Sequence, residues 1–362
     1  MRNKYLCFGI VTTITLFLFT SCFFSHTHDS NVSCDITIDN EYIIKWDIFP
    51  KAVGKVSVYI SDTPDNFNTR KPIAVVDADD GVVSFPTPDP NKRHYFLLDF
   101  NGCFSRIVAA RASCIQSAYD FRDIGGYTGV ANKRTKWGMI YRTGPLDTLS
   151  EADIERIKNI APKTIVEFSN KGRSKCATTD LGAKQVISLS SQTFNVDSLI
   201  EKIYKGDFSR DEARIVINKY YLSLLENNSK ENFKQLFDIL SGEENYPILL
   251  SSNYGKGFND IASLFILVSL GVNKHEISED YTWANKYFCH TRIMQKISHL
   301  PEEVREAIVS IIHNNQRDLS NVINTLQNQH ESIDKYLIDS LNLTLDKRRQ
   351  IHNILLVDEE KL

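Results

Sequence analysis

The feature that most restricts the fold is a change of texture near residue 112. Before it, short runs of alternating apolar and polar residues are broken by turn residues; after it, continuous apolar runs alternate with long amphipathic stretches. The first pattern has the period of a half-buried strand, and the second is the signature of strands and helices in alternation. One chain therefore carries two differently built units.

From Cys34 to Ala112 the strand-like runs are DITIDNEYIIKWDI, KVSVYIS, KPIAVVDA, GVVSF, HYFLLDF and FSRIVAA, separated by turn chemistry such as SDTPDN, DADDG and PTPDPNK. Strands spaced roughly 8–12 residues apart with no helix between them predict a small all-β sandwich of immunoglobulin or fibronectin type over residues 34–112, with Trp46 and Tyr95 as core aromatics. Residues 113–362 read as an α/β domain. Ser150 caps a predicted helix in TLSEADIERIKNI, KTIVEFS and KQVISLS are strands covered on both faces, helices fill Val196 to Leu240, and PILLSS is a further strand. The stretch from Ile277 to Leu355 is helical in pattern, a C-terminal annex to a central sheet flanked by helices. With no Gly/Ser-rich or Pro-rich linker at the junction, the two units are expected to pack rigidly.

The N-terminus carries its own signal. Arg2 and Lys4 precede an uncharged stretch from Tyr5 to Phe19, then Phe19-Thr20-Ser21-Cys22. This is the charged, apolar and small-residue order of a signal peptide over residues 1–21, and the apolar part is shorter than the about 20 residues a transmembrane helix needs. The cysteine directly after the small residues resembles a bacterial lipoprotein cleavage box. That resemblance implies lipid on Cys22, a tether over 22–33, and a lipid-anchored place in the bacterial cell envelope, periplasmic or at the outer-membrane surface. Five further cysteines, Cys34, Cys103, Cys114, Cys176 and Cys289, would remain in the mature protein. Their connectivity is open, with Cys34 and Cys103 near opposite ends of the sandwich as one candidate pair. No CxxC pair or histidine cluster points to a metal, and no motif points to a cofactor. A net charge of -3 leaves no basic excess for a nucleic-acid partner.

The chemistry should lie in YPILLSSNYGKGFNDIASLFILVSLGV, Tyr246 to Val272. A buried strand, a glycine-bearing loop and a helix starting near Ile261 would aim backbone N–H groups and the positive helix end at one point, the usual cradle for phosphate. The loop residues are Ser251, Ser252, Asn253, Tyr254, Gly255, Lys256, Gly257 and Phe258.

Two upstream stretches, Asp120-Phe121-Arg122-Asp123-Ile124-Gly125-Gly126-Tyr127 and Lys136-Trp137-Gly138-Met139-Ile140-Tyr141-Arg142-Thr143-Gly144, resemble the N-F-R-D-L-G-G-Y and W-G-x-x-Y-R-S segments of bacterial tyrosine and dual-specificity phosphatases, which carry an H-C-x-x-G-K-D-R-T-G phosphate loop. The likeness covers about residues 113–355. It implies that Asp123 and Arg142 orient the loop, unless they form a plain structural ion pair. Laid over the loop pattern, Ser251 takes the histidine position, Ser252 the nucleophilic cysteine, Gly257 the aspartate and Phe258 the phosphate-clamping arginine, while Gly255 and Lys256 are kept. Glu167-Phe168-Ser169-Asn170 likewise lacks the arginine of the family's D-x-R-S stretch.

Cysteine phosphatases depend on a thiol, of pKa about 8.5 when free, held as a nucleophilic thiolate. A serine hydroxyl ionises far less readily, and phenylalanine supplies no fork of donors for the phosphoryl oxygens. The expectation is an inactive pseudophosphatase that binds a phosphate-like anion or a phosphoprotein. The competing expectations are a hydrolase using Ser252 with Lys256, and an envelope binding module working through the sandwich.

Overall fold

Every second residue of the run from Glu41 to Phe49 is buried, Tyr42, Ile44, Trp46 and Ile48, as a strand with one wet face requires. In the computed structural model, which describes residues 29–358 except 38, 52, 90, 113–114, 116, 170–179, 190–195, 207–208, 288–293 and 296, this run is the central strand of a three-stranded sheet. The signal segment, Cys22, Cys114, Cys176 and Cys289 lie outside the described residues.

Among the described residues seven antiparallel strands precede residue 112: β1 (Asp29–Ile36), β2 (Glu41–Phe49), β3 (Lys55–Ser61), β4 (Ala74–Asp77), β5 (Val82–Pro86), β6 (Tyr95–Phe100) and β7 (Phe104–Ala109). They form two sheets of order β1-β2-β5 and β4-β3-β6-β7. Side chains of both sheets, among them Ile44, Trp46, Val56, Val58, Phe96 and Leu98, meet in one core. Trp46 sits there as expected, its indole N–H donating to the Ala78 carbonyl at 2.8 Å.

Three expectations need correction. The first strand starts at Asp29, inside the stretch assigned to the tether. Cys34 and Cys103 are both free thiols, the first buried and the second exposed. Tyr95 is not in the sandwich core: β6 is buried on both faces, and Tyr95 lies on the second face in a separate cluster with Ala109 and Trp137.

That second face is where the units join. The Trp137 indole N–H donates to the Ile107 carbonyl at 3.3 Å, and the hydroxyls of Tyr95 and Tyr141 are 3.4 Å apart. Arg93, from the loop before β6, pairs with Asp123 at 2.9 Å and lies over the rings of Tyr95 and Tyr141, each 5.1 Å from the guanidinium carbon. A buried guanidinium ringed by aromatic faces keeps its charge through the carboxylate and the ring quadrupoles.

The second unit is built on a five-stranded sheet. Its strands are β8 (Arg122–Asp123), β10 (Ile140–Thr143), β11 (Thr164–Phe168), β12 (Gln185–Ser188) and β13 (Ile248–Ser252), in the order β12-β11-β13-β10-β8. The first four are mutually parallel and β8 is antiparallel at the edge. All residues of β11 and β13 are buried, the reason those runs are apolar without alternation. A small two-stranded sheet pairs β9 (Arg134–Thr135) with β14 (Leu356–Val357).

Around the sheet lie α1 (Glu151–Ile160), α2 (Val196–Tyr204), α3 (Arg210–Ser223), α4 (Asn227–Leu240), α5 (Phe258–Ser269), α6 (Lys274–Tyr287), α7 (Glu302–Ile312), α8 (Gln316–His330), α9 (Ile333–Asp339) and α10 (Leu345–Leu355). Ser150 caps α1 as its sequence predicts, its hydroxyl accepting from the Asp153 amide. Among the described residues the stretch from Ile277 to Leu355 holds helices and turns but no strand, its last helix ending at Leu355 just before β14. Among the described residues no helix is long and apolar enough to cross a membrane.

Candidate functional site

Strand β13 ends at Ser252 in the middle of the sheet, and α5 begins at Phe258, earlier than the Ile261 read from the sequence. Helix α5 is apolar nearly all round and buried along its length, so it can only sit inside the domain, and that fixes where the loop between them must lie. The reversal uses left-handed backbone at Tyr254 (φ 56), Gly255 (φ 68) and Gly257 (φ 65). At Gly257 the absence of a side chain is also steric, since a Cβ there would lie 2.2 Å from the Tyr220 hydroxyl.

Arg142, on β10 beside β13, braces the loop from below. Its Nη2 donates to the Gly255 carbonyl at 2.6 Å and to Asp260 Oδ1 at 2.7 Å, and it pairs with Asp120 at 2.7 Å. Its Nη1 donates to Ser263 Oγ at 3.0 Å. Arg142 thus hydrogen-bonds the loop directly, whereas the contacts of Asp123 lie elsewhere. The Asp123 carboxylate accepts from the Gly125 and Gly138 amides at 2.7 and 2.6 Å and pairs with Arg93, so it orders the 125–138 segment and the junction with the sandwich. Asp120 continues the network to Arg122, whose guanidinium also reaches the Asp280 carboxylate at 3.2 Å.

The residues at the chemical positions are engaged with the protein itself. Ser251 donates to the Gly144 carbonyl at 3.0 Å, and Ser252, which the resemblance aligns with the nucleophile, donates to the Lys256 carbonyl at 2.9 Å. Lys256 Nζ points away from Ser252 and donates to the carbonyls of Ile311 and Ile312, at 3.2 and 2.6 Å, at the carboxyl end of α7. A lysine there satisfies end carbonyls and the negative end of the helix. The serine–lysine base pair considered from the sequence is therefore not formed. Phe258 is 1% exposed and stacks on Phe168 at 5.0 Å with the rings 10° from parallel, Phe233 adding a tilted contact at 5.7 Å. Asn253 is exposed at the loop tip, and Tyr254 is half-buried beside the Tyr119 ring.

One residue that sequence reasoning missed organises the whole loop. Asp260, on the first turn of α5, accepts the Gly257 amide at 2.9 Å and the Tyr221 hydroxyl at 2.6 Å on Oδ2. Its Oδ1 takes Arg142 at 2.7 Å and Asn314 at 3.2 Å. Burial pushes its pKa up, but Arg142 and Lys256, helped by the Tyr221 hydroxyl, overcome that and hold the carboxyl below its ordinary value. The loop pattern could have flagged it, because the closing glycine of H-C-x-x-G-K-D-R-T-G falls on Asp260. Tyr221 and Asn314 come from distant helices and carry no local signal. Among the described residues no group of three or more His, Cys, Asp or Glu could hold a metal ion.

Burial also pulls the Lys256 pKa down to about 8, against the attraction of Asp260 and Asp318. Between that folded value and the roughly 10.4 of an ordinary lysine, the unfolded chain then binds more protons than the folded one. Stability is expected to rise between about pH 8 and 10, and in Lys256→Met this limb should disappear from urea midpoints measured across the range.

The profile of the tyrosine phosphatase family matches residues 114–357. A protein of Cupriavidus necator provisionally named a tyrosine-protein phosphatase is 21% identical over 202 residues, covering 51% of this chain and 71% of that one. Among solved structures, a pectate lyase of Pectobacterium carotovorum overlaps 45% of this chain and 43% of its own, with 11% identity and a TM-score of 0.17, a likeness too slight to carry any argument.

Proposed function

This chain belongs to the tyrosine phosphatase family, and within it we propose that the protein is a pseudophosphatase, a phosphatase-like domain with a binding or scaffolding role in place of catalysis. The observation that carries the reading is that the loop is closed on itself. Asp260 places a carboxylate at the positive end of α5, where phosphate would be drawn, and the Ser252 hydroxyl is turned onto the carbonyl of Lys256. With Phe258 stacked in the core, the arginine position offers no donor to a phosphoryl group. Gly257 at the aspartate position supplies no acid for the leaving oxygen, which forgoes about 10²–10⁴ in rate.

The role we infer is binding or scaffolding through the surface of the domain rather than through a phosphate seated in the cradle, which the Asp260 carboxylate already occupies. The sandwich ahead of it, with sheets of order β1-β2-β5 and β4-β3-β6-β7, fits a fibronectin-type module, and a lipid on Cys22 would hold both at the bacterial cell envelope. Metabolic labelling with a fatty acid, lost in Cys22→Ser, tests the anchor.

The purified protein is expected to release no phenolate from an aryl phosphate beyond the rate of Ser252→Ala run beside it. Its melting temperature should not move with phosphate or vanadate at millimolar concentration. Turnover that vanishes in Ser252→Ala would overturn the reading.

A further inference from the structure

Where the sandwich meets the α/β domain a cleft of about 280 Å³ is left between them. Its walls include Arg106 and Ile107 of β7, Asp65 of the connection between β3 and β4, and Arg134, Lys136 and Met139 of the α/β domain. No residue of the loop from Ser251 to Phe258 contributes, so the cleft stands apart from the site above and its reading does not depend on that one.

Three features make this more than a gap in the packing. The volume is close to the lower end of small-ligand pockets, roughly 300 Å³, and such pockets favour junctions between domains. The lining carries three side-chain cations, the already engaged Arg106 and Arg134 and also Lys136, with one carboxylate, Asp65, and apolar groups that include Ile107, Met139 and Val357. The cations are also held on ordered backbone. Arg106 lies over the Phe104 ring at 5.1 Å with Nη1 on the Ser105 carbonyl at 2.9 Å, and Arg134 is on β9, paired with Val357 of β14. Lys136 is fixed by its amide donating to the Leu355 carbonyl at 2.7 Å, and its half-buried side chain makes no hydrogen bond or ion pair among the described residues.

We propose that this interdomain cleft binds a small organic anion, a carboxylate, sulfonate or phosphate ester carried on an apolar body of one or two rings. The apolar body displaces water from Ile107 and Met139, and the acid group pairs with the Lys136 ammonium. Because both units line the cleft, such a ligand would tighten their junction.

Calorimetric titration of the full chain with 2-naphthalenesulfonate, set beside the neutral 2-naphthalenemethanol, tests the proposal. The expected result is one saturable site per chain for the sulfonate, weakening with added salt, and affinity at least tenfold lower for the alcohol. Lys136→Met, which keeps the apolar stem and removes the charge, should weaken the sulfonate about tenfold; Met139→Trp, which fills the cleft, should abolish binding. Should Met139→Trp fail to fold, the ligand pair and Lys136→Met still decide the matter. No saturable binding at millimolar sulfonate, equal affinity for sulfonate and alcohol, or an affinity unmoved in Lys136→Met would each overturn it.

Discussion

Phe258→Arg, which returns to the loop the guanidinium that the family pattern carries there, is expected to lower stability by about 3–5 kcal/mol and to restore no turnover. The Phe258 ring is 1% exposed, lies parallel to Phe168, and reaches Phe233, which in turn packs edge-on against Phe265 at 5.1 Å. Removing such a ring opens a cavity, and a guanidinium put in its place must be desolvated among aromatic faces. Rebuilding the rest of the pattern meets a second obstacle at Gly257, where φ is 65 and a Cβ would lie 2.2 Å from the Tyr220 hydroxyl. The loop has therefore been repacked around its substitutions, and Ser252→Cys, Gly257→Asp and Phe258→Arg together should give a less stable protein, not a revived enzyme. Urea denaturation followed by circular dichroism checks this. A Phe258→Arg midpoint equal to that of the parent chain would mean that the ring leaves the core at no cost, and the repacking argument would fall.

How much of this was legible in the sequence depended on how local each cause was. KVSVYIS is β3 residue for residue, because strand period and flanking turns are read from a few neighbours. Strand β13, the glycine loop and α5 are legible as elements, since a continuous apolar run, two glycines and a long apolar helix have few other uses together, but the start of α5 is not, because the sequence places it at Ile261 and the helix begins at Phe258. Tyr95 lies off the sandwich core because HYFLLDF, a nearly unbroken apolar run, is buried on both sides and does not have the one wet face of the neighbouring strands. Asp123 was assigned to the loop because the resemblance groups it with Arg142. Only the fold shows that its carboxylate turns instead toward Arg93 and the amides of Gly125 and Gly138. The contacts of Asp260 with Tyr221 and Asn314 span 39 and 54 positions of chain, and no periodicity encodes such pairs.

Asp260 is accordingly the residue whose loss should matter most to the loop. Asp260→Ala would leave the Gly257 amide, the Tyr221 hydroxyl and one face of Arg142 buried with no acceptor and take from Asn314 one of its two, at a cost of about 3–5 kcal/mol. Asp260→Asn keeps the shape and one acceptor oxygen, so it should fold and isolate the effect of the charge. Since the folded Asp260 carboxyl titrates below the ordinary value, its contribution is fully present above an unfolded pKa of about 3.9 and is lost as pH falls through the lower folded value. In Asp260→Asn that part of the acid limb should flatten, while Asp280, held low against its own burial by Arg122 and Arg142, keeps the rest. The same variant separates a cradle filled by its own carboxylate from one that has merely lost its chemistry. With the internal charge gone and Arg142 still in place, millimolar phosphate should raise the melting temperature of Asp260→Asn and leave that of the parent chain unmoved. An unchanged acid limb together with no phosphate response in the variant would remove Asp260 from the role assigned to it.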